Sequence, residues 1–305
     1  MAQCSPKAKA NYKEYKTCFS KDALVKLATT WNSLNQANKI PNVSRASIKE
    51  LWAAIKVRMV QTCGEGATSD TTAMEACWVD KLPNIGPSGQ SGQEALLSHF
   101  TPKKPSSWKK NPRQWLTNID IDNVLQQYDE DTTNHYKYMG AFPIDFAKPV
   151  SAFGTCLYNE MCTIDMKRLL AQKKSIVGAV FNTDPSDMPG QHWISIIVVI
   201  NPALPSFGVY FQDSAGGPPP TEVVKFMESM KQQAATLSSK PFRVDVNKKR
   251  QQYKNTECGV YSIAYHIRWI NLLKKNPDTR FEDVAIVIDD DNLAKARDLL
   301  FRSAF

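Results

Sequence analysis

Between Gly259 and Leu273 the sequence GVYSIAYHIRWINLL places apolar side chains on nearly every side of the helix that its composition predicts. A helix of that kind is stable only when it is buried, so the rest of the chain has to supply layers to cover it. Four segments, SIVGAVFN (175–182), HWISIIVVI (192–200), FGVYFQD (207–213) and FRVDV (242–246), are rich in β-branched and aromatic residues and bounded by Pro, Gly or Asn, the pattern of strands in one sheet. Between the third and fourth lies TEVVKFMESMKQQAATL, helical by its periodicity and introduced by three prolines. LTNIDIDNVLQQYD reads as a capped helix with Asp120 near its start and Ile121, Val124, Leu125 and Tyr128 on one face. The expected fold is α+β, a mixed sheet around a buried central helix, over residues 113–305.

The N-terminal third follows a different pattern. Ser20 is placed to cap a helix whose apolar face is Leu24, Leu27, Ala28, Trp31 and Leu34. Ser47 and Glu50 have capping-box spacing before a second helix with Ile48, Leu51, Trp52, Ile55 and Met59 at a 3.6-residue period. The stretch from Pro83 to Pro112 is crowded with Pro, Gly, Ser and Lys, with EALLSHF making at most a turn or two of helix. This divides the chain into a helical arm domain at 1–82, a linker at 83–112 and an α/β domain at 113–305. Residues 1–113 hold 17 Lys and Arg against 8 Asp and Glu, while the remainder holds 21 against 22, so the whole net charge of +8 originates in the first third. Such a surface is either plainly solvated or a dock for nucleic acid or another anionic assembly.

Composition excludes some classes. No stretch approaches the roughly 20 apolar residues of a membrane span, and MAQCSPKAKANYKEYK lacks the apolar run of a signal peptide; membrane insertion and ordinary secretion are not expected. Seven Cys (4, 18, 63, 77, 156, 162 and 258) form no CxxC pair and are odd in number, which predicts reduced thiols in a cytosol-like compartment. A zinc site at Cys156 and Cys162 would lack a nearby His or a second close pair. No metal and no organic cofactor are expected.

Cys258 stands at the predicted start of the buried helix, where unpaired N–H groups and the helix dipole favour an anion; by itself the Cys-Gly is either an inert buried residue or a thiolate nucleophile, and the other partners decide. Such a nucleophile needs an imidazole and a group to orient it. Of the four His, His99 falls in the linker, His135 in a polar stretch, and His266 two turns further along the same helix. His192 opens a strand after the polar turn TDPSDMPGQ, and Asp213 closes the next strand, where it is able to orient the ring. Gln252, six residues before Cys258 in a polar loop, is a candidate donor to an oxyanion, with Gln251 beside it.

Taken together, QHWISIIVVI, FQDSAGG and QYKNTECGVYS resemble the SUMO-protease-like superfamily of cysteine proteases (the adenain and ubiquitin-like-protease fold). LTNIDIDNVLQ, NTDPSDMPGQHW, QDSAGG, NTECGVYS and the terminal LLFR are similar to the polyprotein-processing protease of large nucleocytoplasmic DNA viruses, the African swine fever virus type. The resemblance spans residues 113–305 and implies His192 as general base, Asp213 as orienter, Cys258 as nucleophile and Gln252 as oxyanion donor. It also implies Trp193 as a wall of the narrow tunnel that holds a Gly-Gly strand. The swine fever type has Asn where this chain has Asp213.

The implied function is a viral cysteine endopeptidase that cuts structural polyproteins after Gly-Gly, in the cytoplasm of the host cell at the virus factory and in the virion. Two alternatives stand beside it. One is a deconjugating protease acting on ubiquitin-like or SUMO tails; the other is a virion-core or nucleic-acid-binding protein with a decayed protease fold, suggested by the basic arm.

Overall fold

The computed structural model describes residues 3–65, 71–82, 90–150, 154–284 and 290–302. The chain forms two compact units: Met1–Ser106 with Asp298–Phe305, and Ser107–Arg297.

The first unit is helical, with α1 (Lys9–Tyr15), α2 (Lys21–Leu34), α3 (Ile48–Cys63), α4 (Thr72–Lys81) and α5 (Gln90–Leu97). Both expected caps are made. The Ser20 side chain accepts from the Ala23 N–H at the start of α2, and Ser47 and Glu50 complete a capping box on α3. The apolar faces meet in one core that contains Leu24, Leu27, Leu51, Ile55, Met59 and Trp78. Leu96 and Phe100 belong to the same core, and Cys4 forms a β-bridge to Phe100. The expectation of a linker over 83–112 is corrected by this packing. The unit boundary falls between Ser106 and Ser107, and apolar side chains in a Pro- and Lys-rich stretch are enough to fold residues 90–106 onto the helices. Residues 83–89 of the expected linker lie outside the described residues. At the other end of the chain, the Lys104 N–H donates to Arg302 O and the Arg302 N–H to Pro102 O, which returns residues 298–302 to this unit.

A second correction concerns sulfur. Reduced thiols are expected from the sequence, but Cys4–Cys18, Cys63–Cys77 and Cys156–Cys162 are disulfides and Cys258 alone is free. The folded chain places Cα atoms 5.4, 5.8 and 6.5 Å apart in the three pairs, within bonding range. The 14-residue interval shared by two of the pairs is the one signal in the sequence that points to this pairing.

The second unit contains α6 (Asn118–Glu130), β1 (Tyr136–Pro143), α7 (Asn159–Cys162), α8 (Met166–Ala171), β2 (Ile176–Asn182), β3 (Trp193–Val199), β4 (Gly208–Gln212), α9 (Thr221–Leu237), β5 (Arg243–Val246), α10 (Cys258–Lys275), α11 (Phe281–Val284) and α12 (Asp290–Leu300, whose last residues pass into the first unit). The five strands lie in chain order, with β1–β2 and β4–β5 parallel and β2–β3 and β3–β4 antiparallel. The fold is thus α+β with a mixed sheet, and the four expected strands are β2 to β5. β1 was not legible, since its sequence YKYMGAFP mixes Lys and Gly with its apolar residues.

One sheet face packs Val177, Ala179, Phe181, Ile194, Ile196, Val198, Val209 and Phe211 against Val223, Phe226, Met227 and Met230 of α9. Alternate residues turn to α10: the Tyr210 ring lies 4.6 Å from Trp269, and Tyr136 bonds His266 at 2.6 Å. α10 is covered on nearly all sides, with Val260, Ile263 and Trp269 fully buried; each such side chain contributes roughly 1.5–3 kcal/mol by its burial. This burial fixes where the helix begins, and Cys258 is its first residue.

Candidate active site

The antiparallel register pairs Ser195 with Gln212, so the start of β3 and the end of β4 share one edge of the sheet. His192 stands one residue before β3 and Asp213 one residue after β4. Their side chains meet there, Nε2 of His192 to Oδ1 of Asp213 at 2.6 Å. The carboxylate is held from behind: Ala215 N–H donates to Oδ1 at 2.8 Å and Gly217 N–H to Oδ2 at 2.9 Å. A Cβ on Gly217 would lie 2.7 Å from Oδ2, so this turn closes on Asp213 only with glycine there. Asn247 anchors the backbone of the same residue, accepting from Asp213 N–H at 2.7 Å and donating to Asp213 O at 2.8 Å. Nothing in the sequence marked Asn247, which sits just past β5 and reaches Asp213 through the parallel pairing of β4 with β5.

The Cys258 side chain hydrogen-bonds to His192 and is nearly buried, at 2 % exposure. Burial works against charge on His192, yet the hydrogen bonds and negative charges of Asp213 and Cys258 outweigh it and lift its pKa to about 9. Asp213 is likewise opposed by burial, and its bonds to His192 and the two backbone amides hold its carboxyl below the usual carboxylate value. The ring of His192 therefore carries its proton at neutral pH between two acceptors. His266, by contrast, is buried against Tyr136 and pushed down to about 3; it is a core residue, as its position on the buried helix predicts.

Gln252 is buried beside the Asp213 turn. Its Oε1 accepts from the Ser214 hydroxyl at 2.6 Å, its backbone N–H donates to Ser214 O at 2.9 Å, and its Nε2 donates to Lys254 O. The second N–H of that amide is left for another acceptor. Gln251 faces away, accepting from Gln212 Nε2 at 3.2 Å.

Trp193 is buried, and its Nε1–H donates to Leu116 O at 2.8 Å. Leu116 also covers the start of α10, since a Cβ on Gly259 would lie 2.9 Å from Leu116 Cβ. Trp193 and Leu116 border a cavity of about 440 Å³ lined also by Trp115, Phe142, Tyr158 and Met188. Trp115, 40 % exposed, was missed by the sequence reading, because a Trp just before a helix cap looks like any core residue. Cys156 and Cys162, considered above as zinc ligands, are tied to each other.

A thiol at a helix start, bonded to an imidazolium that is bonded in turn to a carboxylate, is the constellation of a cysteine peptidase. Residues 133–301 match the Ulp1 protease family, C-terminal catalytic domain. The chain belongs to the Ulp1 family of cysteine proteases. Among the relatives of this Ulp1-family chain is a thiol protease candidate of Acanthamoeba polyphaga mimivirus, 28% identical over 273 residues, covering 85% of this chain and 82% of the relative. The cysteine protease of African swine fever virus is 31% identical over 209 residues, or 64% of this chain and 70% of that protein. The crystal structure of the swine fever virus protease shares the fold, with a TM-score of 0.61 at 21% identity over 99% of this chain and 96% of that one. No helix among the described residues is long and apolar enough to cross a membrane.

Proposed function

We propose that this Ulp1-family protease is a viral endopeptidase that cuts structural polyproteins after Gly-Gly, with Cys258, His192 and Asp213 as its triad and Gln252 as oxyanion donor. The observation that carries this reading is the hydrogen-bonded line from Cys258 through His192 to Asp213. The thiolate of Cys258 attacks the scissile carbonyl carbon while the imidazolium stays protonated. The oxyanion takes hydrogen bonds from the remaining Nε2–H of Gln252 and from the Cys258 backbone N–H, which has no partner within the helix. Collapse expels the amine, which receives the proton of His192. The neutral ring then takes a proton from water as its oxygen attacks the thioester, and the acid product leaves with the thiolate restored. Asp213 keeps the ring in one orientation throughout.

Specificity follows from the walls. Trp193 and Trp115 border the same cavity, and a strand that reaches Cys258 along these two rings is favoured when its residues lack Cβ, which favours Gly-Gly at the cut. The cavity beside Trp193, lined by Asn118, Asn182 and Asp184 as well as by Phe142 and Met188, receives the side chains further from the scissile bond. The viral origin of the relatives supports a viral enzyme; its proposed substrate is a structural polyprotein made in the host cytoplasm and matured in the virion. Because disulfides persist in oxidising surroundings, the paired form of this protein suits the particle better than the cytosol.

A second reading, deconjugation of a ubiquitin-like tail, is favoured by one relative being named a SUMO-1 cysteine protease. Incubation of the purified protein with candidate structural polyproteins, followed by sequencing of new N-termini, separates the two. New ends directly after Gly-Gly support the polyprotein reading; cleavage of a fluorogenic ubiquitin-like substrate alone would replace it.

A further inference from the structure

The loop that carries Gln252 and the helix start that carries Cys258 are both fastened to one element, α12. At its first residue, Asp290 is buried and its Oδ2 accepts from the N–H groups of Tyr253 and Lys254, each at 2.8 Å. Its Oδ1 accepts from the Tyr261 hydroxyl at 3.2 Å, and the same hydroxyl reaches Gln251 O at 3.1 Å. One carboxylate thus ties the two residues after Gln252 to a side chain one turn into α10. Seven residues on, and so on the same face of α12, Arg297 is also buried. It bonds Glu257, the residue before Cys258, at 3.0 Å and the carbonyl of Gln114, the residue before Trp115, at 2.7 Å. Its guanidinium lies 4.7 Å from the Trp108 ring.

We infer that Asp290 and Arg297 are positioning residues of the protease: Asp290 sets the oxyanion loop, and Arg297 sets the nucleophile and the wall beside it. The reasons are geometric and electrostatic. The 251–257 segment is irregular and needs outside partners to hold one conformation. A buried carboxylate accepting two adjacent amides fixes the turn that aims Gln252. Glu257 is a buried negative charge next to the thiolate, and Arg297 neutralises it while fixing its place, where an unpaired Glu257 would repel the anion that the reaction needs.

The inference about Asp290 rests on Gln252 acting as oxyanion donor, and the two are tested separately with the full-length protein under non-reducing conditions. Two rates are compared: turnover of a Gly-Gly peptide, and alkylation of Cys258 by iodoacetamide. In the alkylation the S–C bond forms as iodide leaves and no oxyanion develops; the other six cysteines are paired. Asp290→Asn is expected to lower kcat by about tenfold to a hundredfold, short of the full loss of a donor, with KM and the alkylation rate little changed. Tyr261→Phe, which removes one of the bonds to Asp290, should do the same by about threefold to tenfold and serves if Asp290→Asn does not fold. Arg297→Met should lower turnover and alkylation together, and adding Glu257→Gln should restore part of both. Equal loss of both rates in Asp290→Asn or Tyr261→Phe, or full turnover in these while Gln252→Ala is impaired, would overturn the role of Asp290. An unimpaired Gln252→Ala would remove the donor from the mechanism and this inference with it. Arg297→Met that keeps both rates would overturn the role of Arg297.

Discussion

At the scale of single residues, His192 is the group on which pH acts. Burial opposes its charge, and Asp213 and Cys258 restore it and carry the pKa to about 9. The sign follows directly: a raised pKa in the folded state means that the imidazolium and the stability it brings are complete below the ordinary value of 6.5 and are lost as pH rises to about 9. Turnover should therefore fall on the alkaline side through about 9. Asp213→Asn keeps an oxygen that accepts from the ring but removes the negative charge, so the alkaline limb of kcat/KM should move to lower pH, with activity reduced and not abolished. An unmoved limb in a pH-rate profile would show that Asp213 orients His192 without setting its charge. Cys258→Ala, in contrast, should show no turnover with an unchanged melting temperature, because Ala is small, apolar and a strong helix former; peptide cleavage by that folded variant would sink the mechanism.

At the scale of elements, the proposed slot would be a joint between the start of β3, the start of α10 and the segment before α6. Trp193 bonds to Leu116 O, and Leu116 rests on Gly259, so the wall is built from three places in the chain at once. Removal of the indole leaves the nucleophile and its base untouched. Trp193→Ala is expected to lose most of the discrimination between Gly-Gly and Gly-Ala peptides, measured as the ratio of kcat/KM, by about tenfold or more. A ratio that stays at the wild-type value would move the specificity wall to another element.

At the scale of the whole molecule, two disulfides close loops in the helical unit while Cys258 stays free. By loop-closure entropy a bridge of this span contributes about 3 kcal/mol. Cys63→Ala with Cys77→Ala should lower the unfolding free energy by about that amount in a denaturant titration, and peptide turnover at 25 °C should survive, since Cys258 has no bridge to lose. An unchanged denaturation midpoint would mean that the bridge does not form in solution. The same unit carries most of the basic excess, with Lys26, Lys39 and Lys49 exposed. If it docks on nucleic acid, binding of the full chain should weaken steeply with salt, and changing these three to Glu should flatten the slope of log K against log salt. Binding that is indifferent to salt would remove the docking role.

The sequence by itself determined four of the five strands, the central helix and the order of His192, Asp213, Gln252 and Cys258. Each of these is written locally, in β-branched runs, in an apolar helix and in polar turns at the ends of elements. Ser20 and Ser47 were legible as caps for the same reason, since a cap bonds within its own first turn. The tertiary structure alone decided what lies far apart in the chain. Asn247 behind Asp213, Trp115 beside Trp193, and Asp290 and Arg297 behind the loop and the nucleophile are ordinary residues until the sheet and α12 bring them to the site. The disulfides belong with them, because the pairing of two thiols depends on the distance between their backbones, which the folded chain sets: Cys63–Cys77 joins α3 to α4, and Cys156–Cys162 closes a loop of six residues onto α7.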